Sequence, residues 1–309
     1  VRIGNGGAAV SAGNIIGGSA AGQGNLISGN GSYGIQAVVS DLTTIQGNTI
    51  GLDITKTAAM PNNYGISLSS ALNNVIGGTV AGAANVISGN TRQGIFVGSD
   101  CLNTSIRGNF IGVNSSGQAF GNGMDGIMVQ YASDTNIGGI DDPYENIIAY
   151  NGGNGIEIES AYAKVMGNKI YGNSQLGIDV WRQIPQQGVT PNDPDESDDI
   201  QNFPVIKKVS FPSQGGVLLA VEVPTLEGEQ VDVSLFASDT CDPSGHGEGQ
   251  VYLGHVTDIA VGGLAEFVIN LPLPDAFMYY TAIAWGPSNG QSEFSACKAA
   301  STYLPSIFK

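Results

Sequence analysis

Positive charge is scarce in this chain. Only 11 of its 309 residues are Lys or Arg, against 27 Asp or Glu, so the net charge is −16. Phosphate backbones are held by clustered cations, and so few of them argue against a nucleic-acid partner. Histidine is scarcer still: His246 and His255 are the only two. That count makes a Ser-His-Asp centre or a histidine-rich metal site a poor expectation. No run of 18 apolar residues occurs, so no membrane-spanning helix is expected. Charged residues of both signs reach only 12%, less than a helical protein of this size carries.

Glycine, in contrast, is abundant, at 46 positions. That many glycines call for a fold with many turns. They are also periodic. The pattern Asn-x-Ile-x-x-Asn/Asp occurs six times, beginning at Asn25, Asn48, Asn85, Asn109, Asn146 and Asn168, and ending at Asn30, Asp53, Asn90, Asn114, Asn151 and Asn173. A Gly-Ile pair follows each, at Gly34, Gly65, Gly94, Gly126, Gly155 and Gly177. The leading asparagines are 23, 37, 24, 37 and 22 residues apart. A spacing of 22–24 fits one turn of a coil with three short strands, and 37 fits the same turn with insertions. One insertion lies between Asp53 and Gly65 and returns between Asn114 and Gly126; another follows Gly77-Gly78 and Gly138-Gly139. Loops that return at one phase are expected to stack on fixed faces.

Within a turn, the Ile-Glu-Ile-Glu of 156–159 alternates with strand period. Its isoleucines are expected inside, stacked with Ile35, Ile66, Ile95, Ile127 and Ile178. Asparagine tolerates left-handed backbone and forms side-chain ladders along a stack. No apolar helical period survives the glycine density. The fold class is therefore all-β, a right-handed parallel β-helix of about six rungs over 1–182. The chain opens inside a repeat, and we expect it to be a processed piece of a longer protein.

Residues 183–204 break the pattern with prolines and five acids in seven residues, and read as an acidic linker. Strand-like runs follow at 217–223, 230–238, 251–259, 263–271 and 278–286, between Gly, Pro, Asp and Ser breaks. They predict a small Ig-like β-sandwich of about seven strands over 205–309. Cys241 and Cys297 lie near strand ends there and predict a disulfide, which implies an oxidising compartment; two separate buried thiols are the alternative. Cys101 has no partner within the repeats and reads as a small buried hydrophobe.

The whole chain resembles bacterial and archaeal secreted or surface proteins with pectate-lyase-like parallel β-helix repeats. The resemblance rests on the Asn-Val-Ile-Ser-Gly-Asn and Gly-Ile units, then Gly-Val-Thr-Pro-Asn-Asp at 188–193 and Gln-Asn-Phe-Pro at 201–204. It continues through Cys-Asp-Pro-Ser-Gly at 241–245 to Ser-Glu-Phe-Ser-Ala-Cys at 292–297. It implies an extracellular or cell-surface location and either a structural role or carbohydrate chemistry, between which the fold does not decide.

Chemistry is sought on the outward positions. Those after each Gly-Ile form a column of Gln36, Ser67, Phe96, Met128, Glu157 and Asp179; two residues on run Val38, Ser69, Gly98, Gln130, Glu159 and Trp181. Neighbouring rungs are about 4.8 Å apart, so Glu157 and Asp179 are expected side by side. Close carboxylates share a proton or hold a cation, and a neighbouring aromatic suits a sugar ring. Glu157, Asp179 and Arg182 are the catalytic candidates, and Glu159 and Trp181 the ligand-binding ones. The plainer alternative is an acidic solvated face, neutralised by Arg182, with Trp181 under the linker. Asp193, Asp195, Asp198 and Asp199, with Asn192, are candidate Ca²⁺ ligands, although the run lacks the EF-hand order. Asp141, Asp142 and Glu145 form a third acidic group, expected at the surface. Two functions follow. One is an extracellular structural or adhesive module, glycan-binding and Ca²⁺-stabilised. The other is a polysaccharide lyase or glycoside hydrolase acting on an acidic polysaccharide.

Overall fold

The computed structural model describes residues 1–4, 10–140, 144–182, 188–193, 200–211, 216–271 and 278–300. The chain divides into two compact units, Val1–Thr190 and Pro191–Lys309. Among the described residues every regular element is a β-strand.

The first unit is a right-handed parallel β-helix with three sheets. The first sheet has seven strands in chain order: Arg2–Ile3, Tyr33–Val38, Tyr64–Ser69, Ile95–Val97, Ile127–Gln130, Ile156–Glu159 and Ile178–Trp181. The other two have six each, so the six rungs legible in the repeat carry one further strand ahead of them. Ile35, Ile66, Ile95, Ile127, Ile156 and Ile178 pair in register and are at most 1% exposed. Each strand turns one side chain inward and the next outward, so burying the isoleucines fixes which residues reach the outer face.

The glycine of each Gly-Ile pair serves contact more than corner geometry. A Cβ on Gly34, Gly65, Gly94, Gly126 or Gly155 would lie 2.4–2.7 Å from the carbonyl oxygen of the matching glycine in the next rung. The left-handed corners belong to other glycines, such as Gly51 at φ +95° and Gly112 at φ +84°.

Two asparagine ladders run the length of the coil. In the first, Asn25, Asn48, Asn85, Asn109, Asn146 and Asn168 are linked one to the next. Each of the first five donates both its backbone N–H and its side-chain amide to the Oδ1 of the following member, at 2.8–3.2 Å. The second ladder corrects the repeat as read from sequence. It runs Asn30, Asn62, Asn90, Asn122, Asn151 and Asn173; Asp53 and Asn114 are not in it. Those two instead open the inserted hairpins. The Asp53 carboxylate accepts from the N–H groups of Thr57 and Ala58, and Asn114 Oδ1 from those of Ser116 and Gln118. The ladder position is regained only after the hairpin. The hairpins stack as expected, with Asn114 Nδ2 donating to the Lys56 carbonyl at 3.0 Å.

The second unit has two antiparallel sheets. One joins Val205–Ser210, Val217–Pro224 and Leu264–Leu271. The other joins Val251–Ile259, Gln230–Ser238 and Tyr279–Gly286 to the short Gly290–Gln291 and Lys298–Ala299. Val217, Leu219, Val221 and Phe267 of the first sheet share a core with Val231, Val233, Leu235 and Ala282 of the second. Cys241 and Cys297 are bonded to each other, and Cys101 is a free buried thiol. Burial pushes the Cys101 thiol up to about 11, which keeps it protonated and unreactive.

The disulfide closes a loop with a sequence separation of 56 residues. Chain entropy assigns such a closure about 4 kcal/mol. Urea unfolding of the second unit, followed by Trp285 fluorescence, is expected to shift to clearly lower denaturant on reduction. An unchanged midpoint would show that the bond contributes nothing.

Candidate functional site

The outer face of the first sheet carries the chemistry. Glu157 and Asp179 are direct partners in the parallel ladder, as are Gln130 and Glu159, and Glu159 and Trp181. The Trp181 indole N–H donates to Glu157 Oε1 at 3.3 Å, across the rung. Glu159 is buried and accepts from the Gln130 amide. The guanidinium of Arg182 lies 4.5 Å from the centre of the Tyr162 ring and donates to the Ala161 carbonyl.

A fourth carboxylate completes the group, and it is not among the sequence candidates. Asp125 precedes Gly126 and is 4% exposed. Its Oδ1 accepts from the Asn154 backbone N–H at 2.9 Å and its Oδ2 from the Gln93 amide at 3.3 Å. A Cβ on Gly153 would lie 2.4 Å from Asp125 Oδ1, so glycine there leaves the carboxylate its space. The Asn154 side chain donates to Asp179 Oδ2 at 3.2 Å. Asp179 is 3% exposed, and its Oδ1 is buried without a hydrogen-bond partner among the described residues. The signal in the sequence is the residue before each Gly-Ile pair, a column of Tyr33, Tyr64, Gln93, Asp125, Asn154 and Leu176.

Burial disfavours a charged carboxylate, and neighbouring charges of the same sign disfavour it further. Burial and the nearby Asp125 and Asp179 push Glu157 up to about 7, against hydrogen bonds from Trp181 and Asn154. Burial, with Asp125, pushes Asp179 up to about 6, opposed by Asn154 and the Gly188 backbone. Both groups hold a proton more tightly in the folded chain than in the unfolded one. The stability they contribute is therefore full below about pH 4 and is lost as pH rises through 6 to 7. Asp179→Asn removes the buried charge and keeps the shape. The variant is expected to melt about 3–6 °C above the parent at pH 8 and to show a flatter pH profile between 5 and 7. Scanning calorimetry at both pH values checks this, and coincident profiles would refute it.

The same face changes character toward the first rungs. Tyr33 and Tyr64 stack with centroids 5.2 Å apart, and Phe96 follows at 6.3 Å from Tyr64. A Cβ at Gly98 would lie 2.6 Å from Phe96 Cε1, so the ring lies in the space that a side chain at 98 would fill. The Arg92 guanidinium sits 4.9 Å from the centre of the Tyr64 ring. A separate groove of about 350 Å³ lies among Ser19, Leu26, Thr49, Ile54 and Lys56, away from the carboxylates.

The acidic linker is only partly described. Asp193 donates its backbone N–H to Asn202 Oδ1 at 2.9 Å and accepts from the Asn202 amide at 2.7 Å. Asp195, Asp198 and Asp199 lie outside the described residues, as do Asp141 and Asp142. Glu145 pairs with Lys169 at 2.6 Å. Among the described residues no three His, Cys, Asp or Glu side chains are gathered closely enough to hold a metal ion.

No protein-family model matches the chain, and no curated protein does. Among solved structures it is similar to the enzymatically active domain of tailspike protein 2 of bacteriophage CBA120. Identity is 13%, the TM-score 0.31, and the match covers 91% of this chain and 57% of that one. The enzymatically active domain of tailspike protein 4 of the same phage gives 11% identity and a TM-score of 0.14 over 86% and 50% of the two chains. The chain thus spans about half the length of either. With superpositions this loose, the fold stands on the sheets and ladders described above.

Proposed function

We propose that this chain is an extracellular structural and adhesive β-helix module that binds a glycan along the outer face of its first sheet. One observation carries the proposal: an aromatic ring and carboxylates share a single outward column. Phe96 leads through Met128 into Glu157 and Asp179, with Trp181 beside them. Sugar rings stack their apolar faces on aromatics and hydrogen-bond their hydroxyls to carboxylates. The coil is rigid, because every rung is tied to the next by backbone and asparagine bonds, so such a face is preorganised. The disulfide supports an oxidising, extracellular setting. We further propose that the linker around Asp193 takes up Ca²⁺ through aspartate oxygens. A melting temperature higher in millimolar Ca²⁺ than in EDTA is the expected result, and equal values would remove calcium from the proposal.

Binding is tested on a glycan array with the full chain. Retention that Trp181→Ala and Phe96→Ala weaken at least tenfold, with no release of reducing ends, supports the module. Retention unaffected by either variant places binding elsewhere.

The raised position of Glu157 favours a second reading, a glycoside hydrolase. A carboxylic acid still protonated near neutrality can donate to a leaving oxygen, with a second carboxylate close by. Cleavage abolished by Glu157→Gln and by Asp179→Asn would establish it. No cleavage of any array glycan would leave the adhesive module.

A further inference from the structure

We propose that the outer face of the first sheet selects a linear glycan bearing free primary amines, with a sugar ring on Phe96 and an ammonium group against Glu157. This rests on the glycan-binding reading and names the ligand class for the same face.

Three observations carry it. The first is the shape of the platform. Phe96 lies over Gly98, where any side chain would collide with it. Phe96 is tilted by 59° from Tyr64, whose own ring is covered by Tyr33 and Arg92, so Phe96 is the ring offered to a sugar. Phe96, Met128, Glu157 and Asp179 stand in register on successive rungs. An extended pyranose chain advances by roughly one rung spacing per sugar, so it can keep register with them, and from Phe96 to Asp179 the column spans three rung steps, about 14 Å.

The second is charge. Asp125, Glu157, Asp179 and Glu159 fall on three consecutive rungs, and three of the four are at most 6% exposed. Asp179 Oδ1 is closed to solvent and has no side-chain donor among the described residues, so its charge is left to act on what lies outside it. Asp125 and Asp179 raise the cost of ionising Glu157, and Asp125 raises that of Asp179. A uronate would add a negative charge to that group, and the net charge of −16 would repel its approach. A neutral sugar would leave the repulsion unchanged. An ammonium would relieve it and supply three donors. The half-buried Glu157 is the member it reaches, and Asp179 and Asp125 strengthen the field behind it.

The third is polarity along the face. Arg92, over Tyr64, is exposed at the aromatic end, three rungs before the strand that carries Asp179. The amine of a bound chain is therefore steered toward Glu157, away from Arg92. An amine-bearing glycan thus stands against the acidic polysaccharide of the alternative enzyme reading, and the two are separated by experiment.

The test is titration calorimetry of the full chain at pH 7 with three hexasaccharides: β-1,4-linked glucosamine, its fully N-acetylated form, and galacturonate. The glucosamine hexamer is expected to bind at least tenfold tighter than the acetylated one, with no heat from galacturonate. Glu157→Gln, nearly the same shape, is expected to reduce the preference below threefold. Phe96→Ala is expected to weaken both. Equal affinity for the amine and acetamide forms, or binding of galacturonate, overturns the amine assignment while glycan binding stands. A preference that survives Glu157→Gln reflects overall charge and also overturns it. Absence of binding by all three, with Trp181→Ala changing no array signal, removes the glycan reading itself.

Discussion

Gly126→Val is expected to prevent the β-helix from folding, and Gly126→Ala to destabilise it by about 3 kcal/mol or more. A Cβ at 126 would stand 2.7 Å from the Gly155 carbonyl oxygen, 2.7 Å from Ile148 Cγ2 and 2.8 Å from Asn151 Nδ2. None of the three can give way cheaply. The Gly155 carbonyl already accepts the Ile127 N–H at 3.0 Å. Ile148 is fully buried, and Asn151 Nδ2 is engaged with Asn173. Moving any of them disturbs two rungs, because a packed interior transmits strain. Gly31→Ala is the control. A Cβ there meets nothing within 4 Å, and Gly31 is absent from the left-handed positions. Its cost is expected within about 0.5 kcal/mol. Urea unfolding followed by far-ultraviolet circular dichroism checks the pair. Similar midpoints for Gly126→Ala and Gly31→Ala would show that the rungs can separate to admit a methyl group.

Much of this architecture is legible because the repeat states it twice over. The Gly-Ile pairs mark the inward isoleucines, and strand alternation then fixes the outward columns, so the pairing of Glu157 with Asp179 follows from counting alone. The hairpin insertions are legible as extra length, but where they enter is not. Asp53 and Asn114 sit at the motif's last position, and Asp and Asn share the same local turn chemistry. Only the hydrogen-bond pattern shows that Asn62 and Asn122 take the ladder sites instead. Asp125 is hidden for a different reason. It stands ahead of the Gly-Ile pair, in a column where other rungs place Tyr, Gln, Asn and Leu, so no residue type repeats. Its importance is electrostatic, and charge acts across rungs that sequence spacing does not visibly connect. The aromatic end is hidden likewise. Phe96 reads as one bulky residue beside Met128 in its column, and Gly98 as a gap; the ring in fact lies in the space that the glycine leaves.

The ladders also set which asparagines cannot be changed. Asn85 is fully buried. Its Oδ1 accepts from both the backbone and the side chain of Asn48, at 3.0 Å each. Its amide donates to the Ile45 carbonyl at 2.8 Å and to Asn109 Oδ1 at 2.9 Å. Asn85→Ala leaves the Asn48 backbone N–H without its acceptor and opens a small void, and is expected to cost about 3 kcal/mol. Asn85→Asp is expected to cost more although it is nearly isosteric. The carboxylate would face the Ile45 carbonyl and Asn109 Oδ1, acceptor against acceptor, and carry a charge into a dry interior. Asn30 makes the contrasting case. It begins the second ladder, is exposed, and donates to Asn62 Oδ1 through its backbone as well as its side chain. Asn30→Ala keeps the backbone bond and is expected to cost under about 1 kcal/mol. The order Asn85→Asp, Asn85→Ala, Asn30→Ala in decreasing cost, read from chemical denaturation, follows only if the ladders carry stability through buried donors and acceptors. If Asn85→Asp and Asn85→Ala were equally stable, the loss would be one of packing, and the amide would be a spacer between rungs.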